Sequence, residues 1–136
     1  MTDACKLFTK DEASIVTHTT VTTIGDAAHN TLDVWIGPLT GCGYSAGGST
    51  YMAAAIVANG ADQYAKIKAG QPHPVTALPG IGDDAFTSDQ GGSGKGPFLV
   101  GALKGTTAVY LFAIGDTTPA TLDALQTLIA TAVPRV

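Results

Sequence analysis

The most suggestive chemistry in the sequence surrounds one serine. Ser45 stands in the stretch Gly43-Tyr44-Ser45-Ala46-Gly47, which spells the G-x-S-x-G turn that presents the nucleophile of many esterases and lipases. Such an enzyme also needs a histidine as general base and a carboxylate that orients it. His73 follows Ser45 in the chain, and Asp62 and Asp83 are the available carboxylates. A small serine esterase is therefore one hypothesis.

The surroundings of Ser45 fit that hypothesis poorly. A nucleophile elbow follows a buried strand, whereas the residues before Gly43 read "IGPLTGC", broken by a proline and two glycines. The only histidine after Ser45 is His73, which stands between two prolines. A chain of 136 residues is also short for a parallel sheet with crossover helices. We therefore expect no catalytic residues and assign these glycines to a hairpin.

Two glycine-rich stretches imitate nucleotide-binding loops. "PGIGDDA" at 79–85 has the glycine spacing of a dinucleotide fingerprint, but its aspartates would repel a pyrophosphate and no helix opens after it. "GGSGKG" at 91–96 has glycine where a phosphate loop has serine or threonine after its lysine. We expect a tight turn and a hairpin loop at these positions, and no cofactor.

The potential metal ligands do not form a recognisable set. Asp83, Asp84 and Asp89 lack the alternating spacing and closing glutamate of a calcium loop, so we expect turn acceptors and solvated charge. The histidines come from separate segments without i, i+4 pairing, so no metal site is predicted; they are His18, His29 and His73. Core or hairpin packing is expected of four aromatic residues, although they would also suit a ligand groove: Trp35, Tyr44, Tyr51 and Tyr110.

Composition excludes several classes of protein. Hydrophobic residues make up 45% of the chain and charged residues 13%, with a formal net charge of −4, which favours a compact domain without a nucleic-acid footprint. The apolar runs at 51–58 and 108–114 are far shorter than a membrane span. The N-terminus has no signal-peptide pattern. The protein is thus either cytosolic or a chain from which a targeting segment has been removed.

The two cysteines leave the compartment open. Cys5 and Cys42 are far apart and no C-x-x-C is present, which argues against a metal clip or a thioredoxin-type centre. A bond between them would contribute roughly 4 kcal/mol through chain entropy. Two buried free thiols, as in many cytosolic proteins, fit the spacing equally well.

The patterning predicts one α+β domain over 1–136, a mainly antiparallel sheet with N-terminal, central and C-terminal helices packed on it. Thr9 and Glu12 form a capping box for the first helix, and Thr118 and Pro119 begin the last. The strands at 98–103 and 108–114 are apolar at odd and even positions, so helices or a partner copy must cover both faces. The remaining predicted elements are a helix at 61–69 and strands at 32–36, 42–46, 51–58 and 84–89.

The chain resembles small secreted lipoprotein domains of unknown function from mycobacterial and streptomycete envelopes. The motifs that carry the resemblance are "ACKLFTKDEAS", "CGYSA", "VTALPGIGDDAF", "ALKGTTAVYLF" and "TLDALQTLIATAV". It implies a structural disulfide in which Cys5, at the first helix, is bonded to Cys42 on a strand, as an oxidising compartment would permit. The family's lipobox is absent from this sequence, and the resemblance implies no catalytic residues.

The sequence thus predicts an extracytoplasmic, non-enzymatic binding or scaffold module of the cell envelope. Its expected partner is an envelope protein or a small hydrophobic ligand, and it would meet a membrane only through a lipid anchor that this chain lacks. A monomer and a homodimer are both compatible with the pattern. The alternatives are the Ser45 esterase and a carrier of a small hydrophobic molecule, which would need a deep apolar cavity.

Overall fold

The computed structural model describes residues 3–17, 21, 23–25, 39–45 and 50–136. The predicted strand at 32–36, together with His18, His29 and Trp35, lies outside these residues. The helices of the described part are α1 (Lys10–Thr17), α2 (Ala61–Ala69) and α3 (Pro119–Ala132), with 3₁₀ turns at Ala4–Lys6 and Val133–Arg135. Its strands are β1 (Thr23–Gly25), β2 (Leu39–Ser45), β3 (Thr50–Val57), β4 (Thr76–Ala77), β5 (Asp84–Asp89), β6 (Phe98–Lys104) and β7 (Thr107–Gly115).

The strands of the described residues form one antiparallel sheet in the order β1-β2-β3-β7-β6-β5-β4. Within β1–β3, and again within β4–β7, strands that follow one another in the chain are neighbours in the sheet. Helix α2 lies between the two groups in the chain. The sheet is completed where β3 pairs with β7, from Thr50 opposite Gly115 to Val57 opposite Ala108. The predicted α+β class is confirmed, and so is the pairing of the predicted strands at 42–46 and 51–58, which are β2 and β3.

Both faces of the sheet carry helices, as the strand pattern predicts. Successive side chains of a strand point to opposite faces. Ile56 and Leu111 belong to a buried cluster with residues of α1 and α3, whereas the next residues along these strands, Val57 and Tyr110, belong to a second cluster with Tyr64 of α2. Helices on both sides therefore explain why these strands are apolar throughout.

The helix boundaries follow local capping chemistry. The Thr9 hydroxyl accepts from the Glu12 amide at 3.1 Å, and the Glu12 carboxylate accepts from the Thr9 amide at 2.9 Å, so the predicted capping box is present. Pro119 occupies the first turn of α3, and the Thr118 amide donates to Thr121 Oγ1 at 3.0 Å. Helix α2 has the predicted bounds, and Gly70 is its C-cap.

A close contact between neighbouring strands requires a glycine within β6. Gly101 in β6 lies beside the Phe86 ring of β5, and a Cβ at Gly101 would be 2.7 Å from Phe86 Cε1. The Phe86 ring is fully buried and lies edge-on to Tyr64 of α2, with ring centroids 5.5 Å apart. The sequence does not predict this role, because a glycine in an apolar strand does not reveal which ring crosses it.

We predict that Gly101→Ala lowers the free energy of unfolding by about 1–3 kcal/mol, because the added methyl group overpacks against Phe86. Urea denaturation of the purified variant measures this loss. Phe86→Leu removes the opposing ring edge, so the loss in the double variant should be smaller than the sum of the two single losses. Additive losses would show that the methyl group does not meet Phe86.

Candidate functional site

Strand β2 is joined to the N-terminal segment, residues 3–9, by a disulfide. Cys5 and Cys42 are bonded, with their Cα atoms 5.0 Å apart. Cys42 is fully buried, whereas Cys5 is partly exposed. The resemblance implies that Cys5 lies at the first helix. It lies in the 3₁₀ turn that precedes α1. The disulfide that the family resemblance implies is thus present and is consistent with an oxidising compartment.

The tyrosine of the G-x-S-x-G stretch holds the same segment. Tyr44 is buried, and its hydroxyl donates to the Ala4 carbonyl at 2.8 Å. Burial raises the pKa of Tyr44 to about 12, so the hydroxyl stays protonated and available as a donor. The Tyr44 ring also lies edge-on to Phe8, with centroids 6.0 Å apart. Cys42 and Tyr44 point to the same sheet face because they are two residues apart.

An arginine near the C-terminus completes the attachment of this segment. Arg135 donates to the Leu7 carbonyl at 2.6 Å and pairs with both carboxylate oxygens of Glu12, at 2.8 and 2.9 Å. The hydrogen bond from Arg135, supported by the Thr9 amide, lowers the pKa of Glu12 to about 2. The sequence predicts Glu12 only as a capping residue, because its partner is far away along the chain and no local pattern reveals it.

The esterase hypothesis requires residues that the structure separates. Ser45 ends β2 and is half-buried, whereas exposed His73 contacts Gly92 in the hairpin loop between β5 and β6. By the strand order, three to four strand spacings separate them, roughly 15–20 Å. Asp62 lies in the first turn of α2, after β3, and Asp83 precedes β5. Both carboxylates therefore lie near the sheet end opposite Ser45.

Each candidate aspartate near β5 has a partner within the fold. The Asp83 carboxylate accepts from the Gly105 amide at 2.6 Å. Asp84 accepts from Tyr64 at 2.8 Å and from the Lys68 ammonium at 2.9 Å, and the hydrogen bond from Lys68 lowers the pKa of Asp84. These carboxylates act as turn and tertiary acceptors, and among the described residues no cluster of three or more potential metal ligands occurs.

The "GGSGKG" stretch forms the predicted hairpin loop, and two of its amides already donate to a carboxylate. The Asp89 carboxylate accepts from the amides of Gly92 and Gly94. A phosphate group would need those same donors, so the aspartate stands where an anion would bind. On the other side of the loop, the Thr117 hydroxyl donates to the Lys95 carbonyl. The glycines supply positive φ at Gly92, Gly94 and Gly96, which is the turn role predicted for them.

A polar cluster that the sequence does not predict ties the end of α2 to β5. The Gln71 side-chain oxygen accepts from buried Ser88 at 2.7 Å and from Gln90 at 3.2 Å. Its amide nitrogen donates to the Ile67 carbonyl at 2.9 Å. The cluster therefore satisfies the buried Ser88 hydroxyl and joins the end of α2 to β5. No local sequence pattern predicts that these glutamines and this serine are hydrogen-bonded to one another. The cluster is seen only once α2 is packed on the sheet.

Fold and site together define a disulfide-bonded α+β domain with an antiparallel sheet between helices. No family model, curated protein or solved structure matches the chain, so the resemblance to envelope lipoprotein domains stays a prediction. Within the described ranges, no helix has the length and hydropathy that crossing a bilayer requires.

We predict that Glu12→Gln lowers the free energy of unfolding by about 1–2 kcal/mol at pH 7, because the substitution removes a bidentate but partly exposed ion pair. The folded pKa of Glu12 is depressed to about 2 from 4.5. The contribution is therefore complete above pH 4.5 and is lost as the pH falls towards 2. Urea denaturation of both proteins across this range should show their curves converging.

Asp11→Asn is the matched control for this experiment. Asp11 is an exposed acid in the same first turn of α1, so its removal reports the helix-dipole effect of one negative charge, about 0.5 kcal/mol. Equal losses in the two variants at pH 7 would show that the Arg135 ion pair adds nothing beyond the dipole.

Proposed function

We propose that this protein is an extracytoplasmic domain of the cell envelope that acts as a non-enzymatic binding or scaffold module. The observation that carries the proposal is the Cys5–Cys42 disulfide. Structural disulfides form and persist in secreted and periplasmic proteins and are rare in the cytosol. The resemblance to envelope lipoprotein domains extends the proposal to a domain that a lipid anchor tethers to the membrane.

The use of the polar side chains supports a structural rather than a catalytic domain. The carboxylates of Asp83, Asp84, Asp89 and Glu12 are each engaged by amides or cationic side chains of the fold. An active site usually holds ionisable groups whose environment prepares them for proton transfer. Among the described residues, the depressed pKa values belong to Glu12 and Asp84, and ion pairs between helices, turns and strands account for both.

A scaffold of this kind presents loops for binding from a rigid sheet. Two exposed stretches lie together at one side of the molecule, residues 72–74 after α2 and residues 91–95 between β5 and β6. His73 packs against Gly92, and the Asp89 and Thr117 hydrogen bonds fix the loop backbone. These stretches form the surface that we propose for partner binding.

The carrier hypothesis has less support. A small hydrophobic ligand between the sheet and helices α1 and α3 would occupy the space of a contiguous buried cluster. Phe98, Leu111 and Leu128 are among its members and are at most 2% exposed. Binding there would require these side chains to move apart, at the energetic cost of opening a close-packed core.

The compartment is tested on protein recovered from the cells that make it. Cells are quenched in acid, and free thiols are alkylated in the denatured protein. The intact mass is measured then and again after reduction and a second alkylation. We expect no label before reduction and two labels after it, together with digestion of the protein when intact cells are treated with protease. Two labels before reduction would overturn the extracytoplasmic proposal.

The non-enzymatic part of the proposal has a separate test. A fluorophosphonate probe labels serines that a neighbouring base activates. We expect the purified protein and its Ser45→Ala variant to show the same background labelling. Stoichiometric labelling that disappears in Ser45→Ala would establish an esterase and overturn the scaffold proposal.

A further inference from the structure

The Cys5–Cys42 bond lies beneath a segment that several other interactions hold in place. Besides the disulfide, Tyr44 binds the Ala4 carbonyl and Arg135 binds the Leu7 carbonyl. The side chains of Leu7 and Phe8 are 0% and 3% exposed. Breaking the disulfide therefore removes one of several attachments, and we expect residues 3–9 to stay on the sheet without it.

Reduction of a disulfide requires access to one of its sulfur atoms. A thiolate attacks one sulfur, forms a mixed disulfide with that cysteine and expels the other as a thiolate. A second thiol then attacks the mixed disulfide, so the reductant becomes a disulfide and the protein gains two thiols. Because Cys42 is 0% exposed, attack on its sulfur is sterically blocked, and only Cys5 is partly exposed.

Attack on Cys5 is also unfavourable in the folded protein. It would expel the Cys42 thiolate into the buried cluster that Cys42 shares with Leu7, Met52 and Ala54. A thiolate in apolar surroundings is destabilised and is a poor leaving group. The folded state thus hinders attack on either sulfur, at Cys42 by steric exclusion and at Cys5 through its leaving group.

We propose that the Cys5–Cys42 disulfide is closed to thiol exchange in the folded protein and is reduced only when the other contacts between residues 3–9 and the sheet open locally and expose a sulfur atom. Once it is reduced, the Tyr44 and Arg135 hydrogen bonds return the segment to its place. The reduced protein then exposes one reactive thiol, Cys5, while Cys42 stays buried. The bond is a structural disulfide. It differs from an exchangeable redox centre, in which the attacked sulfur must be accessible. This inference holds in any compartment.

The test is the rate at which dithiothreitol reduces the purified protein, followed by acid quenching and intact mass. We expect reduction at least about 100-fold slower than in the urea-denatured chain, because reduction waits for a rare opening. Low urea concentrations should change the rate with a slope well below the equilibrium m-value, since local opening exposes little surface. A native rate within about threefold of the denatured rate, or a slope equal to the full m-value, would overturn the proposal.

Two variants separate local detachment from a general loss of stability. Arg135→Gln removes the bond to the Leu7 carbonyl and should accelerate reduction about tenfold. Lys68→Gln removes the ion pair with Asp84 on the opposite sheet face and should leave the rate unchanged. Equal acceleration by both variants would assign reduction to global unfolding and contradict the proposal.

Alkylation of the reduced protein gives a further readout. With iodoacetamide under native conditions, Cys5 should be modified at least about tenfold faster than Cys42, in line with their exposure. Peptide mapping identifies the modified residue. Equal rates at the two cysteines would show that the segment does not return to the sheet and would overturn this part of the inference. The rates concern purified protein, so their failure leaves the proposed location and function standing.

Discussion

The pairing of β3 with β7 is the interaction on which the rest of the structure depends. It joins a strand group that ends at Val57 to another that begins at Thr76, and it creates both faces on which the helices pack. Small residues make the close packing possible, since Ala54 and Ala55 lie opposite Leu111 and Tyr110. The pairing joins segments far apart in the chain, so its entropic cost must be met before its contacts stabilise the sheet.

The stretch around Ser45 owes its composition to the attachment of the N-terminal segment. Along β2, Cys42 and Tyr44 face the helices and bind Cys5 and Ala4. The intervening Gly43 faces the other way and leaves room for the Tyr51 hydroxyl, which occupies the place of a Cβ. The first glycine of the G-x-S-x-G stretch is thus explained by packing against Tyr51 and not by catalysis.

Prediction succeeded where the determining contacts are local. The capping box at Thr9, the bounds of α2 and the start of α3 at Pro119 each depend on residues within one helical turn. The pairing of Arg135 with Glu12, the crossing of Gly101 by Phe86 and the two-residue strand β4 were missed. Each of these depends on which distant elements become neighbours, and periodicity within a segment carries no information about that.

The disulfide and the hydrogen bonds that accompany it act on different states of the chain. Closing a loop between residues 37 apart in sequence restricts the unfolded chain and contributes roughly 4 kcal/mol to global stability. The bond also attaches Cys5 directly to β2, so while it is intact the rest of residues 3–9 can leave the sheet only by turning about Cys5. Tyr44 and Arg135 act in the folded state and set how often residues 3–9 leave the sheet. Global stability and local closure of the rest of the segment therefore have separate physical origins.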